Sequence, residues 1–222
     1  MALLFGQEPA DAAKFRALAA EFDARTATVQ RAASDGSRAV AALDWLRALD
    51  AVLKAVPFER TAGPHEAWLK RYDDLIVYSE PAGQWLIGKD VFDRVYAEHA
   101  TSAVADEIAW LAASNGLPGE CEGYVPCYAA SLNMLEGEYL RRQPAGAHRA
   151  QAFDRITEVL RIVFDDLLKR PDRNDFLSVP RDCKDLLQSA MPLRNAVDGA
   201  KDGTRTEALA LSNRLISLCG NR

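Results

Sequence analysis

Apolar positions in this chain recur at three- and four-residue steps, the spacing of helices that bury one face. The pattern predicts a first helix from about Ala10 to Ala33, with Phe15, Leu18, Phe22 and Val29 on one stripe and Asp35-Gly36 stopping it. A second helix begins at Ser37 as N-cap and carries Val40, Leu43, Leu46, Leu49, Leu53 and Val56 until Pro57 ends it. Pro64 suits the first turn of a third, with Trp68, Tyr72 and Leu75 inward, and the segment SEPAG then breaks it. A fourth holds Trp85, Phe92 and Val95. A fifth starts near Thr101 or Ser102, sets Asp106 and Glu107 near its positive end, and runs through Trp110 to about Ser114. The irregular stretch NGLPGECEGYVPC comes next. Behind it lies a sixth helix with Tyr128, Leu132, Leu135 and Tyr139 inward. The turn Gln143-Pro144-Ala145-Gly146 leads to a seventh with Phe153, Ile156, Leu160, Val163 and Leu167. A polar linker, residues 169–182, precedes an eighth helix at Asp182 to Val197, which Pro192 should kink or shorten, and a ninth at Thr204 to Leu218. No alternating run is bounded by hairpin turn residues, so the expected fold class is all-α with about nine helices.

Two stretches of this pattern echo one another. Residues 98–110 read EHATSAVADEIAW and residues 142–156 read RQPAGAHRAQAFDRI. Each passes a small turn residue, Ser102 or Gly146, and then opens a helix rich in alanine. Aligning Ile108 with Ala152 gives an offset of 44 residues. A tetratricopeptide unit has about 34, and the surplus of about ten matches the inserted LPGECEGYVP. Small side chains at Ala105, Ala150 and Ala152 let helix backbones approach while neighbouring aromatics fill the remaining volume.

Between Phe92 and Ile156 the chain therefore resembles the tetratricopeptide-like proteins of bacterial envelopes, a group of outer-membrane assembly lipoproteins and periplasmic scaffolds. Tyr139, Pro144, Gly146, Ala150 and Ala152 carry the likeness in the second unit, and Phe92, Tyr96, Ser102, Ala105 and Ile108 in the first. The first unit departs from the family in having Ala100 where proline is usual, and the cysteine-bearing loop is no part of the common repeat. The resemblance implies a helical-hairpin array (an α-solenoid) with an interaction role and an envelope location, and it brings no catalytic residues. The length fits one domain or two small ones, and the expected organisation is one domain over 1–222, with a repeat core at 85–168, loop 116–127 inserted, and a C-terminal hairpin at 180–222. A generic helical hairpin of a bundle is the plainer explanation of the same pattern.

Composition narrows the function classes. Of 222 residues, 49% are apolar and 27% charged, which suits a folded globular chain. A net charge of −5 offers no electrostatic reason to expect nucleic acid or an anionic membrane as partner. Arg141, Arg142, Arg149 and Arg155 form a local basic stretch, expected to be a solvated face. No run reaches the roughly 18 apolar residues of a membrane span. The start, MALLFGQEPADAAKF, lacks the basic and long apolar regions of an intact secretory signal, which leaves a cytoplasmic chain or one trimmed of its signal.

The four cysteines carry the sharpest expectation. If the last two helices turn back near Gly199 to Gly203, Cys183 and Cys219 sit at one height, about 24 Å from the turn, where a bridge can close. Cys121 and Cys127 share one Gly- and Pro-containing loop and can pair locally. Two disulfides would put the protein outside the reducing cytoplasm, in the periplasm or secreted. Four reduced, packed thiols are the alternative. Zinc at Cys121 and Cys127 with Glu120, Glu122 or His99 is another, although that spacing is no usual zinc knuckle.

Further chemistry is sparse. There is no nucleophile elbow, phosphate loop or zinc-protease motif. His65, His99 and His148 fall at loop or helix-start positions, with His99 and His148 at similar places in the two units. Gly116, Gly119 and Gly123 suit turn geometry, since Glu120 and Glu122 would repel a bound anion. Asp73-Asp74 and Asp165-Asp166 point about 100° apart on a helix and cannot act as dyads. Trp45, Trp68, Trp85 and Trp110 read as core, or as a peptide groove if several line one concave surface.

The sum is a non-enzymatic protein- or peptide-binding scaffold with no cofactor and no metal. Candidate partner contacts are Glu120, Glu122, Tyr124 and Arg142. The rival is a helical metal-binding or enzymatic domain built on the Cys121–Cys127 loop with His99. A third class is an oligomerisation module; the pattern sets no oligomeric state.

Overall fold

The structure is a computed structural model that describes residues 10–32, 34–56, 64–167, 180–200 and 202–220. Among these residues the chain is all-α apart from one two-stranded hairpin. It divides into two compact units. One is Met1–Ile108 with Leu117–Gly119, and the other is Ala109–Gly116 with Glu120–Arg222. The division falls inside the 85–168 span expected as one repeat core.

In the first unit, α1 (Ala10–Arg31) packs against α2 (Asp35–Lys54). The cap of α2 is Ser34, three residues before the expected Ser37. Ser34 Oγ accepts the Ser37 N–H at 3.2 Å, and Ser37 Oγ accepts the Ser34 N–H at 3.1 Å. This reciprocal capping satisfies two donors at once. The buried stripe of α2 runs through Ala39, Ala42, Leu43, Leu46, Leu49, Val52 and Leu53. Val40, expected in that stripe, is 50% exposed.

The centre of this unit is aromatic. Phe22 from α1 is fully buried, with Trp45, Trp68 and Tyr72 ring centroids 5.0 to 5.6 Å away. Trp45 Nε1 donates to Thr26 Oγ1 at 2.9 Å. The Tyr72 hydroxyl donates to Asp23, and burial together with that bond pushes its pKa up to about 12. Helix α3 (Pro64–Arg71) starts at the predicted proline. The expected terminator Pro57 and the loop up to residue 63 lie outside the described residues.

His65 is buried beside Phe15, with ring centroids 4.3 Å apart. Neither of its ring nitrogens has a hydrogen-bond partner among the described residues. A buried polar atom left without a partner costs about 1–3 kcal/mol. His65→Leu is therefore expected to raise stability by about 1 kcal/mol in urea denaturation. A destabilised variant would mean that the imidazole makes a bond that leucine cannot replace.

The sequence pattern missed the hairpin. Strands β1 (Ile76–Ser79) and β2 (Gln84–Ile87) pair antiparallel, Ile76 with Ile87, Val77 with Leu86, Tyr78 with Trp85 and Ser79 with Gln84. SEPAG does not merely break a helix. Its last four residues are the turn, with Gly83 at φ 58°. Trp85 is thus a strand residue packed against Tyr78, with centroids 5.1 Å apart and ring planes tilted by 48°, and Leu75 lies beyond the end of α3. Strand β2 packs on α2. Helix α4 (Lys89–His99) follows, and α5 (Ala105–Asn115) opens with Asp106 and Glu107 in its first turn.

The second unit holds α6 (Val125–Met134), α7 (Glu136–Arg142), α8 (Arg149–Ile162), α9 (Pro180–Gly199) and α10 (Thr206–Gly220). The expected single sixth helix is two, because Leu135 leaves helical geometry at φ −105° and ψ −88°. A Cβ at Gly137 would stand 3.3 Å from the Leu132 carbonyl oxygen and 3.3 Å from Leu193 Cδ1, so the glycine lets α7 close on α9. Phe153, Ile156, Leu160 and Val163 are buried as expected, and a π-helical turn at Val163–Leu167 ends α8. Of the expected linker, residues 169–179 lie outside the described residues, while Pro180 to Asp182 begin α9.

Pro192 does not shorten α9. Both Pro192 and Gln188, whose carbonyl it deprives of a helical donor, lie on the exposed face where water can bond the carbonyl. Contacts run α7 to α8, α8 to α10, α10 to α9 and α9 back to α7, with α6 added against α7 and α9. That is a closed bundle cycle around Tyr139, Phe153, Ile156, Leu160, Leu186, Leu193 and Leu215.

Candidate functional site

The loop that precedes α6 takes its shape from a short run of residues. Glu122 at φ 46° and Gly123 at φ 86° are both left-handed, and the Tyr124 N–H donates to the Cys121 carbonyl at 2.7 Å. Among the described residues Glu122 is the one non-glycine in that region. The chain then enters α6 directly, with the Cys127 N–H donating to the Tyr124 carbonyl at 3.0 Å. A tight turn followed by the first helical turn brings Cys121 back to Cys127, and the two are bonded. The irregular stretch is thus shorter than expected, since Val125, Pro126 and Cys127 are helical.

The second bridge joins Cys183, in the first turn of α9, to Cys219, near the end of α10. The equal-height argument for that hairpin holds. The Tyr124 hydroxyl donates to Asp182 Oδ1 at 3.1 Å, one residue from Cys183. Both bridges and this bond gather the starts of α6 and α9 and the end of α10 at one end of the unit.

Of the candidate partner contacts, Glu120 and Glu122 are exposed, and no cation pairs with either among the described residues. Tyr124 is half-buried and engaged with Asp182. Arg142 is elsewhere, on α7. Its side chain is 16% exposed and bonded to Glu138 Oε1 at 2.8 Å. The basic stretch is neutralised within the unit. Arg141 also meets Glu138, Arg149 meets Asp202 and Arg155 meets Glu136. Burial opposes ionisation of Glu138, but hydrogen bonds from Arg141 and the charge of Arg142 outweigh it and hold its pKa low. The backbone N–H of Thr204, followed by Arg149, draws Asp202 down to about 2.

Spacing gave no hint of the Glu136–Arg155 pair. Glu136, in the first turn of α7, is 3% exposed, with Arg155 Nε 3.2 Å from Oε1. Burial pushes its carboxyl pKa up, and Arg155 opposes that rise. Arg155 also lies over Trp110, and His148 stacks on the same indole with centroids 5.1 Å apart and planes at 5°. The His148 backbone N–H donates to the buried Tyr139 hydroxyl at 2.9 Å. His99 and His148 are not equivalent: one ends α4 and the other precedes α8.

For the zinc alternative, the sulfurs of Cys121 and Cys127 are bonded to each other, and a disulfide offers a metal no thiolate. The tryptophans pack on neighbours inside their own units, Trp45, Trp68 and Trp85 in the first and Trp110 in the second. In the first unit a cleft of about 600 Å³ lies between the start of α2 and the α4–α5 turn, with Val40, Arg38, His99 and Ser102 among its walls. No helix among the described residues is long and apolar enough to cross a membrane. Comparison with family models, curated proteins and solved structures finds no match for the chain.

Proposed function

We propose that this chain is a non-enzymatic binding or scaffold protein, and that it meets a basic segment of a protein or peptide partner at the cystine-braced end of its second unit. One observation carries the reading. Glu120 and Glu122 stand exposed, with no cation paired to either among the described residues, on a loop that a disulfide and the Tyr124–Asp182 bond hold in place. Charges fixed before binding lose little entropy on association, so they serve recognition better than charges on a free loop.

The tetratricopeptide-like relationship remains part of the proposal. In its favour, α5 and α8 begin at Ala105 and Arg149, which keeps the 44-residue offset. Against an open solenoid, α9 contacts α6 and α7 across the intervening α8, whereas stacked repeats touch only their neighbours. The helical bundle is the simpler reading for the second unit. Two bridges using all four cysteines support an oxidising compartment, periplasmic or extracellular.

Titration with an arginine-rich decapeptide tests the reading. Wild type should bind with an affinity that falls as salt rises, and Glu120→Gln/Glu122→Gln should bind about five- to tenfold more weakly. Equal binding by both proteins would remove the loop as the contact. Metal analysis of the purified chain addresses the rival reading. About one equivalent of zinc or iron, reckoned against a single four-ligand site, would replace the binding role with a metal centre.

A further inference from the structure

The two bridges differ in the length of chain they close and in the burial of their less accessible sulfur. Cys121–Cys127 spans 6 residues of loop, and both cysteines are half-exposed. Cys183–Cys219 spans 36 residues and ties two helices of the bundle together; Cys183 is half-exposed too, but Cys219 is buried at 8% exposure. A short ring removes less entropy from the unfolded chain than a long one, so the fold depends less on the first bridge than on the second. Cys127 occupies the third position of α6, a helix of ten residues, where the positive end of the backbone dipole favours a thiolate. Cys121 lies between Glu120 and Glu122, whose charges disfavour a thiolate there. The bridge is thus polarised, with Cys127 the better leaving group. Between its ends Glu122 is held at φ 46°, a conformation a free loop would seldom keep.

We propose that Cys121–Cys127 is a reversible latch, opened by a dithiol reductant while Cys183–Cys219 stays closed, and that its opening releases the acidic loop from its binding shape. A thiolate of the dithiol attacks Cys121 Sγ. A new S–S bond forms there as the Cys121–Cys127 bond breaks, and the electron pair leaves on Cys127. The second thiolate of the reductant then attacks its own sulfur in the mixed disulfide and expels Cys121 as a thiolate. The two protons given up by the dithiol end on Cys121 and Cys127. The cystine gains two electrons, and the dithiol becomes a cyclic or internal disulfide. The latch rests on the binding reading only for what the loop touches.

The native full-length chain is treated with dithiothreitol, quenched at intervals with N-ethylmaleimide, and mapped by peptide mass spectrometry beside far-ultraviolet circular dichroism. Cys121 and Cys127 should label at least tenfold faster than Cys183 and Cys219, with the helical signal unchanged. Hydrogen exchange should then quicken in the peptide covering 116–128 and not in α8. A brief pulse of glutathione should leave its adduct on Cys121. Labelling of both pairs at one rate, labelling only as the helical signal is lost, unchanged exchange in the loop, or an adduct on Cys127 would each overturn the latch. None of these measurements involves a partner, so a failed decapeptide titration overturns the binding reading alone.

Discussion

Removing the long bridge, as Cys183→Ala/Cys219→Ala, is expected to cost about 4 kcal/mol and to lower the melting temperature by roughly 10 °C or more. The bond spans 36 residues, and the entropy it removes from the unfolded chain grows with the logarithm of that number. Its ends sit in the first turn of α9 and near the end of α10, two helices that pack along their length. The matched variant Cys121→Ala/Cys127→Ala spans 6 residues and should lose about 2 kcal/mol. Urea unfolding of both variants beside wild type decides the ranking. A larger loss from the loop bridge would mean that the α6 entry turn, and not the α9–α10 pair, is what the bundle leans on.

The second large effect lies at Glu136. Arg155→Met should destabilise the second unit by about 2–3 kcal/mol at pH 7, less than for a fully enclosed pair because Arg155 is 40% exposed. The reason is the carboxylate left behind, which is 3% exposed and loses its one counter-charge among the described residues. Burial already lifts the folded-state pKa of Glu136 above its unfolded value near 4.5, and losing Arg155 lifts it further. A raised folded pKa means that the folded chain holds the proton more tightly. Its stabilising contribution is complete below about 4.5, and it fades as pH climbs through the folded value. The gap between variant and wild type should therefore be small at pH 4 and widest at pH 7. Glu136→Gln in the Arg155→Met background should close most of that gap at neutral pH. A gap of constant size from pH 4 to 7 would assign the loss to the packing of Arg155 on Trp110.

Much of the helical skeleton was legible because apolar period alone writes it. Phe15 and Phe22, the Leu43–Leu46–Leu49 stripe, and Phe153, Ile156 and Leu160 all went where their spacing put them. Pro64 and the pairing of Cys183 with Cys219 were equally readable, one from backbone constraint and one from helix rise. The failures were local contests. Ser34 outcompeted Ser37 as cap because the two serines satisfy each other in only one order. The segment around Trp85 carried both a helical stripe and β-rich four-residue runs, and the turn at 80–83 settled it as a hairpin. Leu135 broke a helix that period would have continued, since the approach of α7 to α9 through Gly137 is a tertiary demand. At the candidate site, the exposure of Glu120 and Glu122 followed from loop composition. The Tyr124–Asp182 and Glu136–Arg155 pairs did not, because nothing in chain spacing encodes which distant side chains the bundle will bring together.

The Cys183–Cys219 bridge straddles the turn between α9 and α10. A protease that nicks the backbone near Gly203 would therefore leave both fragments covalently tethered. The clipped molecule would migrate as one species on a non-reducing gel and as two after reduction. With the tether in place, its C-terminal segment could reseat on the remainder at an effective concentration that no separate peptide could reach.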